Sequence, residues 1–380
     1  MYDRILKNEL LRLSKHFPII SVSGPRQSGK TTLCKMTFPD YGYANMEDEE
    51  TRALAENDLK GFLNRYPQGL VIDEAHHLPR LFSALQVMVD DDDSKRFVLS
   101  GSSNFLMLRN ISQSLAGRVA ITRLLPLSLH ELRPDEQSVD TDELIYKGLY
   151  PAIWGKDRPA FTVYDSYFST YIQRDVHQMI QIKEMDLFRK FVRLCAVRIG
   201  NEFVASTLAS EVGVSVKTIQ NWFGILEASY ITYFLQPYHK NIGKRLVKTP
   251  KMYFHDTGLV CYLLGYHSPK DVATSPLRGA LFENLVINEM LKSRFNATLD
   301  NNLYYYRDKS QHEVDVIQED ASKIKAFEIK SATVFHTEFL KNLDYLKSLY
   351  GNSVISTQVI YDGSLEWPKT DNGLLNFRNL

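Results

Sequence analysis

The sequence predicts an α/β protein with an N-terminal parallel-sheet domain, a helical connector, a winged helix and a second α/β domain. Short apolar stretches alternate with helix-length segments between residues 17 and 125, a helix–turn–helix pattern occupies 208–231, and further strands begin near residue 303. Strands separated by helices are typical of right-handed βαβ units, whose parallel sheet is covered on both faces. We therefore expect four domains, at residues 1–127, 128–200, 201–255 and 256–380.

Composition narrows the class of protein. The 380 residues include 45 Lys and Arg against 45 Asp and Glu, so contact with nucleic acid would require a local basic patch. The three cysteines are odd in number and far apart, which indicates a reducing compartment and argues against disulfides and zinc. Residues 1–17 are charged throughout and suggest an amphipathic helix, and no run of 18 apolar residues occurs. We expect a cytoplasmic protein without a membrane span.

The first site lies in "GPRQSGKTT", which matches G-x-x-x-x-G-K-[ST] between an apolar strand and a helical segment. Its glycines let backbone N–H groups surround phosphates, and the following helix N-terminus favours negative charge. We expect Lys30 to contact the β- and γ-phosphates and Thr31 to ligate Mg²⁺. The predicted ATP-binding residues are Gly24, Pro25, Arg26, Gln27, Ser28, Gly29, Lys30, Thr31 and Thr32.

A second motif, "GLVIDEAHH", is an apolar strand that ends in Asp73 and Glu74. Ligands of open α/β sheets bind at the carboxyl ends of strands, so both acids should lie beside the phosphate loop. We expect Asp73 to hold Mg²⁺ and Glu74 to polarise the attacking water. The letters "DEAH" also occur in a helicase family, but the chain shows no second motor domain.

Two further positions are candidates for contact with the γ-phosphate. Ser102 follows the strand "RFVLSG", where it could sense the phosphate or belong to a plain turn. Arg118, in "SLAGRVAITRL", could reach the phosphate in cis or from a second copy of the chain, or could form a surface ion pair. Arg174 is a weaker rival.

These motifs resemble those of AAA-type P-loop ATPases. The whole chain looks more closely like a large prokaryotic family of predicted ATPases whose C-terminal part is a domain of unknown function. The phrases that carry this resemblance include "SGPRQSGKTTL", "GLVIDEAH", "LPLSLHEL", "KRLVKTPKMYFHDTGL", "RGALFENLV" and "HEVDVI". The resemblance implies Mg²⁺-dependent ATP hydrolysis, and an Arg118 that acts in trans would require a homo-oligomer.

The middle of the chain predicts a winged helix. Ala209, Gly213 and Ile219 occupy the small, turn and apolar positions of a helix–turn–helix. A hairpin wing would follow, with basic residues Lys240, Lys244, Arg245, Lys248 and Lys251. If the module binds DNA, Lys217, Gln220 and Asn221 would face the major groove and the wing lysines would meet phosphates. A rigid structural connector is the alternative.

In the C-terminal part, "EVDVI" and "AFEIKS" form a predicted hairpin. A side-chain period of two places Val314, Val316, Phe327 and Ile329 on one face and Glu313, Asp315, Glu328 and Lys330 on the other. Taken alone, this pattern fits any half-exposed hairpin. On the preceding predicted helix, Glu283 lies at the edge of the apolar stripe and Glu289 lies within it.

The order of helix glutamate, strand aspartate and Glu-x-Lys resembles the PD-(D/E)XK nuclease-like superfamily. The resemblance implies that Asp315, Glu328 and Glu283 bind Mg²⁺ or Mn²⁺ and that Lys330 orients or activates water. No Pro-Asp pair occurs, because Val314 precedes Asp315.

Three functions are compatible with the sequence. The first is an ATPase coupled to a nuclease-like domain that acts on or binds DNA or RNA. The second is a nucleotide-dependent switch or scaffold whose nuclease-like fold is inactive. The third is a DNA-binding regulator that uses the winged helix.

Overall fold

The computed structural model describes residues 1–101, 111, 113–156, 158–171, 176, 184–239, 249–367 and 371–380. These residues divide into two compact units. Unit 1 contains Met1–Leu127, Ala228–Tyr230 and Lys292–Asp300; unit 2 contains Ser128–Glu227, Ile231–Leu291 and Asn301–Leu380. The domain divisions predicted at residues 127, 200 and 255 remain predictions.

Unit 1 is built on a parallel sheet. Its described strands are β1 (Ile19–Ser23), β2 (Gly42–Asn45), β3 (Leu70–Asp73), β4 (Phe97–Gly101) and β5 (Val119–Arg123). They lie in the order β2-β3-β4-β1-β5, with every pair parallel. The prediction of an N-terminal parallel α/β sheet is therefore confirmed.

Helices cover both faces of this sheet. They are α1 (Leu6–Leu13), α2 (Lys30–Thr37), α3 (Glu49–Asn57), α4 (Leu59–Asn64) and α5 (Arg80–Asp91). Alternate residues of β1 enter different cores: Ile19 packs with α4 and α5 residues, and Ile20 packs with those of α1 and α2. The central strands β1, β3 and β4 are therefore buried along their whole length, whereas the outer strands β2 and β5 keep partly exposed residues.

Unit 2 begins with short helices. Described helices before the second sheet are α6 (Pro134–Gln137), α7 (Thr141–Lys147), α8 (Pro151–Trp154), α9 (Ala160–Tyr171), α10 (Met185–Val197), α11 (Ala205–Val212) and α12 (Val216–Ala228). Between α11 and α12, Gly213 has a φ of +89°, which a glycine adopts without strain. Ala209 and Ile219 are buried, as expected for a helix–turn–helix.

The sheet of unit 2 is mixed. Its described strands are β6 (Thr232–Pro237), β7 (Lys251–Phe254), β8 (Leu303–Arg307), β9 (Glu313–Asp320), β10 (Lys323–Lys330), β11 (Val354–Tyr361) and β12 (Gly373–Asn376). They lie in the order β12-β11-β10-β9-β8-β6-β7. Strand β6 pairs with β7 and also with β8, so the predicted domain division at residue 255 falls within one sheet.

Four helices belong to this later part of the chain as the structure describes it: α13 (Thr257–Leu263), α14 (Pro269–Ala273), α15 (Arg278–Asn296) and α16 (Lys341–Tyr350). The antiparallel β9–β10 hairpin forms as predicted. Within the described residues, no helix combines the length and apolar character that crossing a membrane requires.

Candidate functional site

The phosphate loop joins β1 to α2. Gly24 has a φ of +154°, and a Cβ atom there would come within 2.1 Å of the backbone oxygen of Leu124. Gly29 has a φ of +96° and is the N-cap residue directly before α2. Both glycines are therefore required by the backbone, for close approach at the first and for a left-handed turn at the second.

Lys30 lies inside this loop. Its side-chain amine donates hydrogen bonds to the backbone oxygens of Gly24 (3.0 Å) and Pro25 (2.7 Å), and the residue is 6% exposed. Burial lowers the pKa of Lys30 to about 8, because removing an ammonium ion from water disfavours its charged form. A phosphate group would supply the counter-charge that this buried amine needs.

Asp73 is the meeting point of a hydroxyl network. Its carboxylate accepts hydrogen bonds from Thr31 (2.7 Å), from Tyr43 (2.9 Å) and from Ser100. The structure thus brings Asp73 and Thr31 together from two parts of the chain. These hard oxygen donors fit Mg²⁺.

Glu74 follows directly and has a left-handed backbone, with a φ of 49°. Such a conformation costs a non-glycine residue about 1–3 kcal/mol and recurs at functional sites. Its carboxylate lies 3.3 Å from Nδ1 of His76. The predicted water-polarising acid therefore has a defined partner that sequence reasoning missed.

The two other predicted phosphate contacts were Ser102 and Arg118, with Arg174 as a weaker candidate. Ser102 and Arg174 lie outside the described residues. Arg118 precedes β5, whose first residue pairs with Ile19, the first residue of β1. It therefore lies at the amino-terminal ends of the strands, whereas the phosphate loop lies at their carboxyl ends. It forms a two-point ion pair with Asp90, at 2.5 Å and 2.8 Å. A role for Arg118 in trans remains a prediction.

A different arginine, Arg123, lies at the carboxyl ends of the strands, where the phosphate loop begins. Arg123 ends β5 and pairs in register with Ser23, the residue before the phosphate loop. The Ser23 hydroxyl lies 2.8 Å from the hydroxyl of Tyr230, which also hydrogen-bonds to Arg123. The rule that ligands bind at carboxyl ends of strands would have favoured Arg123 over Arg118.

The loop is also braced from the N-terminus. The buried guanidinium of Arg4 donates hydrogen bonds to the backbone oxygens of Ser28 (2.7 Å) and Leu125 (2.7 Å). One side chain therefore ties the phosphate loop to the segment after β5. No local sequence signal marks Arg4, because its partners are 24 and 121 residues away.

The C-terminal candidate site is an acid–lysine cluster in unit 2. We define it as Lys251 on β7, Glu283 on α15, Glu313 and Asp315 on β9, and Glu328 and Lys330 on β10. Asp315 is 8% exposed and Glu328 is 2% exposed. The two central acids of this charged face are therefore covered, whereas Glu313 and Lys330 are half-buried.

Lys330 contacts two of the acids. Its ammonium group lies 2.6 Å from the Glu328 carboxylate and 3.3 Å from that of Asp315. The backbone N–H of Ile329 also donates to Asp315, at 2.7 Å. Burial and the charge of Asp315 raise the pKa of Glu328 to about 8. The structure thus brings Asp315, Glu328 and Lys330 together as predicted.

Lys251 contacts the other two acids. Its ammonium group lies 2.5 Å from Glu313 and 3.4 Å from Glu283, and the residue is 4% exposed. Glu283 also accepts a hydrogen bond from the hydroxyl of Tyr253. Lys251 was predicted to be a wing lysine that would meet DNA phosphates if the module bound DNA. That prediction was wrong for Lys251, because its side chain is buried among carboxylates. The sequence signal for burial of Lys251 was its position at the start of the otherwise apolar strand "KMYF".

The cluster does not fit the metal site that the nuclease resemblance implies. Two ammonium groups contact all four carboxylates of the cluster. Across the described part of the chain, no group of three or more His, Cys, Asp or Glu side chains is arranged to hold a metal ion. Glu289, the alternative to Glu283 as the inward-facing acid of α15, accepts a hydrogen bond from the backbone N–H of Leu129 at 2.7 Å and so caps a short helical turn.

Only some of the residues predicted to contact DNA lie within the described part of the chain. Lys217, Gln220 and Asn221 are exposed on α12, whereas the wing residues Lys240, Lys244, Arg245 and Lys248 lie outside the described residues. DNA binding by this module remains a prediction.

Three family models match separate parts of the chain. An AAA domain matches residues 16–133, a domain of unknown function (DUF8612) matches 138–270, and a second domain of unknown function (DUF4143) matches 278–379.

Several known proteins are similar to this chain. Uncharacterized proteins of Mycobacterium bovis and Mycobacterium tuberculosis are each 28% identical over 372 residues, which covers 95% of this chain and 80% of theirs. An uncharacterized protein of Methanocaldococcus jannaschii is 24% identical over 329 residues, covering 78% of this chain and 71% of its own. A Walker-type ATPase of Pyrococcus abyssi shares 13% identity with a TM-score of 0.47, over 69% of this chain and 96% of that one. The AAA match and the loop geometry together support a P-loop ATPase family for residues 16–133.

Proposed function

We propose that this protein binds ATP with Mg²⁺ and hydrolyses it at the phosphate loop of unit 1. Lys30 would neutralise the β- and γ-phosphates, Thr31 and Asp73 would hold Mg²⁺, and Glu74 would polarise the attacking water. When bound, Mg²⁺ would offset the charge that develops on the transferred phosphoryl group.

One observation carries the proposal. The Thr31 hydroxyl and the Asp73 carboxylate lie 2.7 Å apart, directly beside a buried lysine whose hydrogen-bond acceptors are loop carbonyls. Groups suited to a cation and groups suited to an anion are thus adjacent, which supports binding of a nucleotide–Mg²⁺ complex.

The test is steady-state ATP hydrolysis by the full chain with Mg²⁺. Lys30→Ala and Glu74→Gln should each lower kcat by about 100-fold or more, since each removes a group that acts on transition-state charge or on water. Lys15→Ala and Glu50→Gln are matched controls, because both residues are exposed. Undiminished turnover in Glu74→Gln would contradict the assigned role, and absence of turnover in the wild type would contradict the ATPase proposal.

We further propose that the C-terminal domain serves as the non-cleaving part of a nucleotide-dependent switch or scaffold. The pairing of all four cluster acids with lysines favours this role over that of a metal-dependent nuclease. Labelled DNA and RNA should remain intact with Mg²⁺ or Mn²⁺, in the presence and absence of ATP. Metal-dependent cleavage by the wild type that Asp315→Ala abolishes would overturn this and support the nuclease alternative.

A further inference from the structure

Lys251 lies where an acidic cluster of this kind would need a cation. We propose that its ammonium group is a built-in cation of the acid–lysine cluster, and that it takes the place between Glu283 and Glu313 that a divalent metal ion would otherwise need. This inference does not depend on ATP hydrolysis in unit 1.

The contacts of Lys251 are those of a bridging ion. Its ammonium group approaches Glu313 at 2.5 Å and Glu283 at 3.4 Å, and Asp315 is close enough for its charge to act on both Lys251 and Glu283. The Glu283 carboxylate on α15 and the Glu313 carboxylate on β9 therefore meet at one nitrogen atom. A metal ion bound by the same oxygens would collide with this nitrogen.

Burial makes the ammonium ion hard to replace. Lys251 is 4% exposed and lies beside the ring of Tyr305, with 5.4 Å from the nitrogen to the ring centre. The carboxylate charges outweigh the effect of burial and hold the pKa of Lys251 above its usual value, so the amine stays charged. Because the chain tethers this cation to β7, its effective concentration at the acids exceeds that of a free metal ion.

The remaining acids have their own cation. Lys330 contacts Glu328 and Asp315, and no second cation is needed to separate these two carboxylates. One oxygen of Glu328 is buried without a hydrogen-bond partner within the described structure.

The decisive experiment measures Mn²⁺ binding by calorimetry on the full chain without nucleotide. All proteins carry Asp73→Asn, which removes the metal-binding acid of unit 1. In this background we expect no Mn²⁺ site that depends on Glu313. Adding Lys251→Met keeps the length of the side chain and removes its charge. The resulting protein should bind Mn²⁺ about 100-fold more tightly than the Asp73→Asn parent, because one unit of positive charge within about 4 Å of the acids is removed.

Two controls identify the created site. Glu313→Gln in the Lys251→Met background should abolish the new Mn²⁺ affinity, because Glu313 is a direct partner of Lys251. Lys251→Arg should not create the site because the positive charge is retained. Circular dichroism reports whether each variant is folded. If Lys251→Met unfolds without metal, Lys251→Gln serves as the second variant and recovery of its thermal stability by Mn²⁺ is the readout.

Two results would overturn the inference. One is Glu313-dependent Mn²⁺ binding when Lys251 is intact, because the cation position would then be open. The other is a folded Lys251→Met or Lys251→Gln protein whose Mn²⁺ affinity equals that of its parent.

Discussion

The pKa of Lys30 predicts how ATP affinity depends on pH. In the free protein Lys30 is buried and its pKa falls from 10.5 to about 8. Binding of ATP places phosphate charge beside the amine, which favours the ammonium form and raises its pKa again. Below pH 8 the amine is already charged. Above pH 8 it is neutral in the free protein, and ATP must recover a proton to bind.

The magnitude follows from this difference. ATP affinity should be nearly constant from pH 6.5 to 7.5 and then weaken about tenfold for each further pH unit, to about 100-fold weaker at pH 10. At pH 8, binding should take up about half a proton for each protein molecule. At 1.36 kcal/mol per pKa unit, the buried charge costs the folded protein ~3 kcal/mol below pH 8, and this cost disappears as the pH rises towards 10.5.

Titration calorimetry with ATP between pH 6.5 and 10 measures both effects. The proton uptake is obtained from the difference in binding enthalpy between two buffers with different ionisation enthalpies. Lys30→Arg is the control, since a guanidinium stays charged throughout this range. An affinity for ATP that is flat from pH 7 to 10, with no proton uptake at pH 8, would refute the inference that burial of Lys30 outweighs the charges of Glu74 and Asp73 and lowers its pKa.

Three further substitutions test the geometry of unit 1. Gly24→Ala should abolish ATP binding and lower the free energy of unfolding by about 2–3 kcal/mol. The control Gly224→Ala lies within helix α12 and meets nothing within 4 Å, so it should leave ATP binding unchanged and raise the free energy of unfolding by up to about 1 kcal/mol; urea denaturation and calorimetry measure both quantities. Tyr43→Phe removes one hydrogen bond to Asp73 and should lower kcat about tenfold without changing the melting temperature. Tyr230→Phe removes the buried hydroxyl beside the phosphate loop and should lower the free energy of unfolding by about 1 kcal/mol, and an unchanged urea midpoint would show that this hydroxyl is not stabilising.

The nucleotide site was predictable because its chemistry is local in sequence. The fixed spacing of Gly24, Gly29 and Lys30 places the phosphate-binding groups on one turn, and the apolar strand before Asp73 places that acid at the same sheet edge. The five predicted strands of unit 1 are present, and their register also shows why Arg118 was a poor candidate in cis. An arginine before a strand lies at the wrong end of it.

The C-terminal site was only partly predictable because its partners are distant in sequence. The strand period brought Asp315, Glu328 and Lys330 onto one face correctly. It could not show that this face is buried, or that Lys251 approaches Glu283 and Glu313 from a strand more than 30 residues away. Strand β12 was also missed, since four residues near the chain end give little periodicity.

Two buried lysines show how the same side chain can mark different kinds of site. Lys30 has backbone carbonyls as its hydrogen-bond partners, so burial lowers its pKa and an incoming anion is stabilised. Lys251 has carboxylates as its partners, so its charge is satisfied before any ligand arrives. Removing the charge should therefore have opposite consequences: loss of anion binding at Lys30, and gain of cation binding at Lys251. A buried lysine near acids is evidence for a binding site only when its own contacts leave the charge uncompensated.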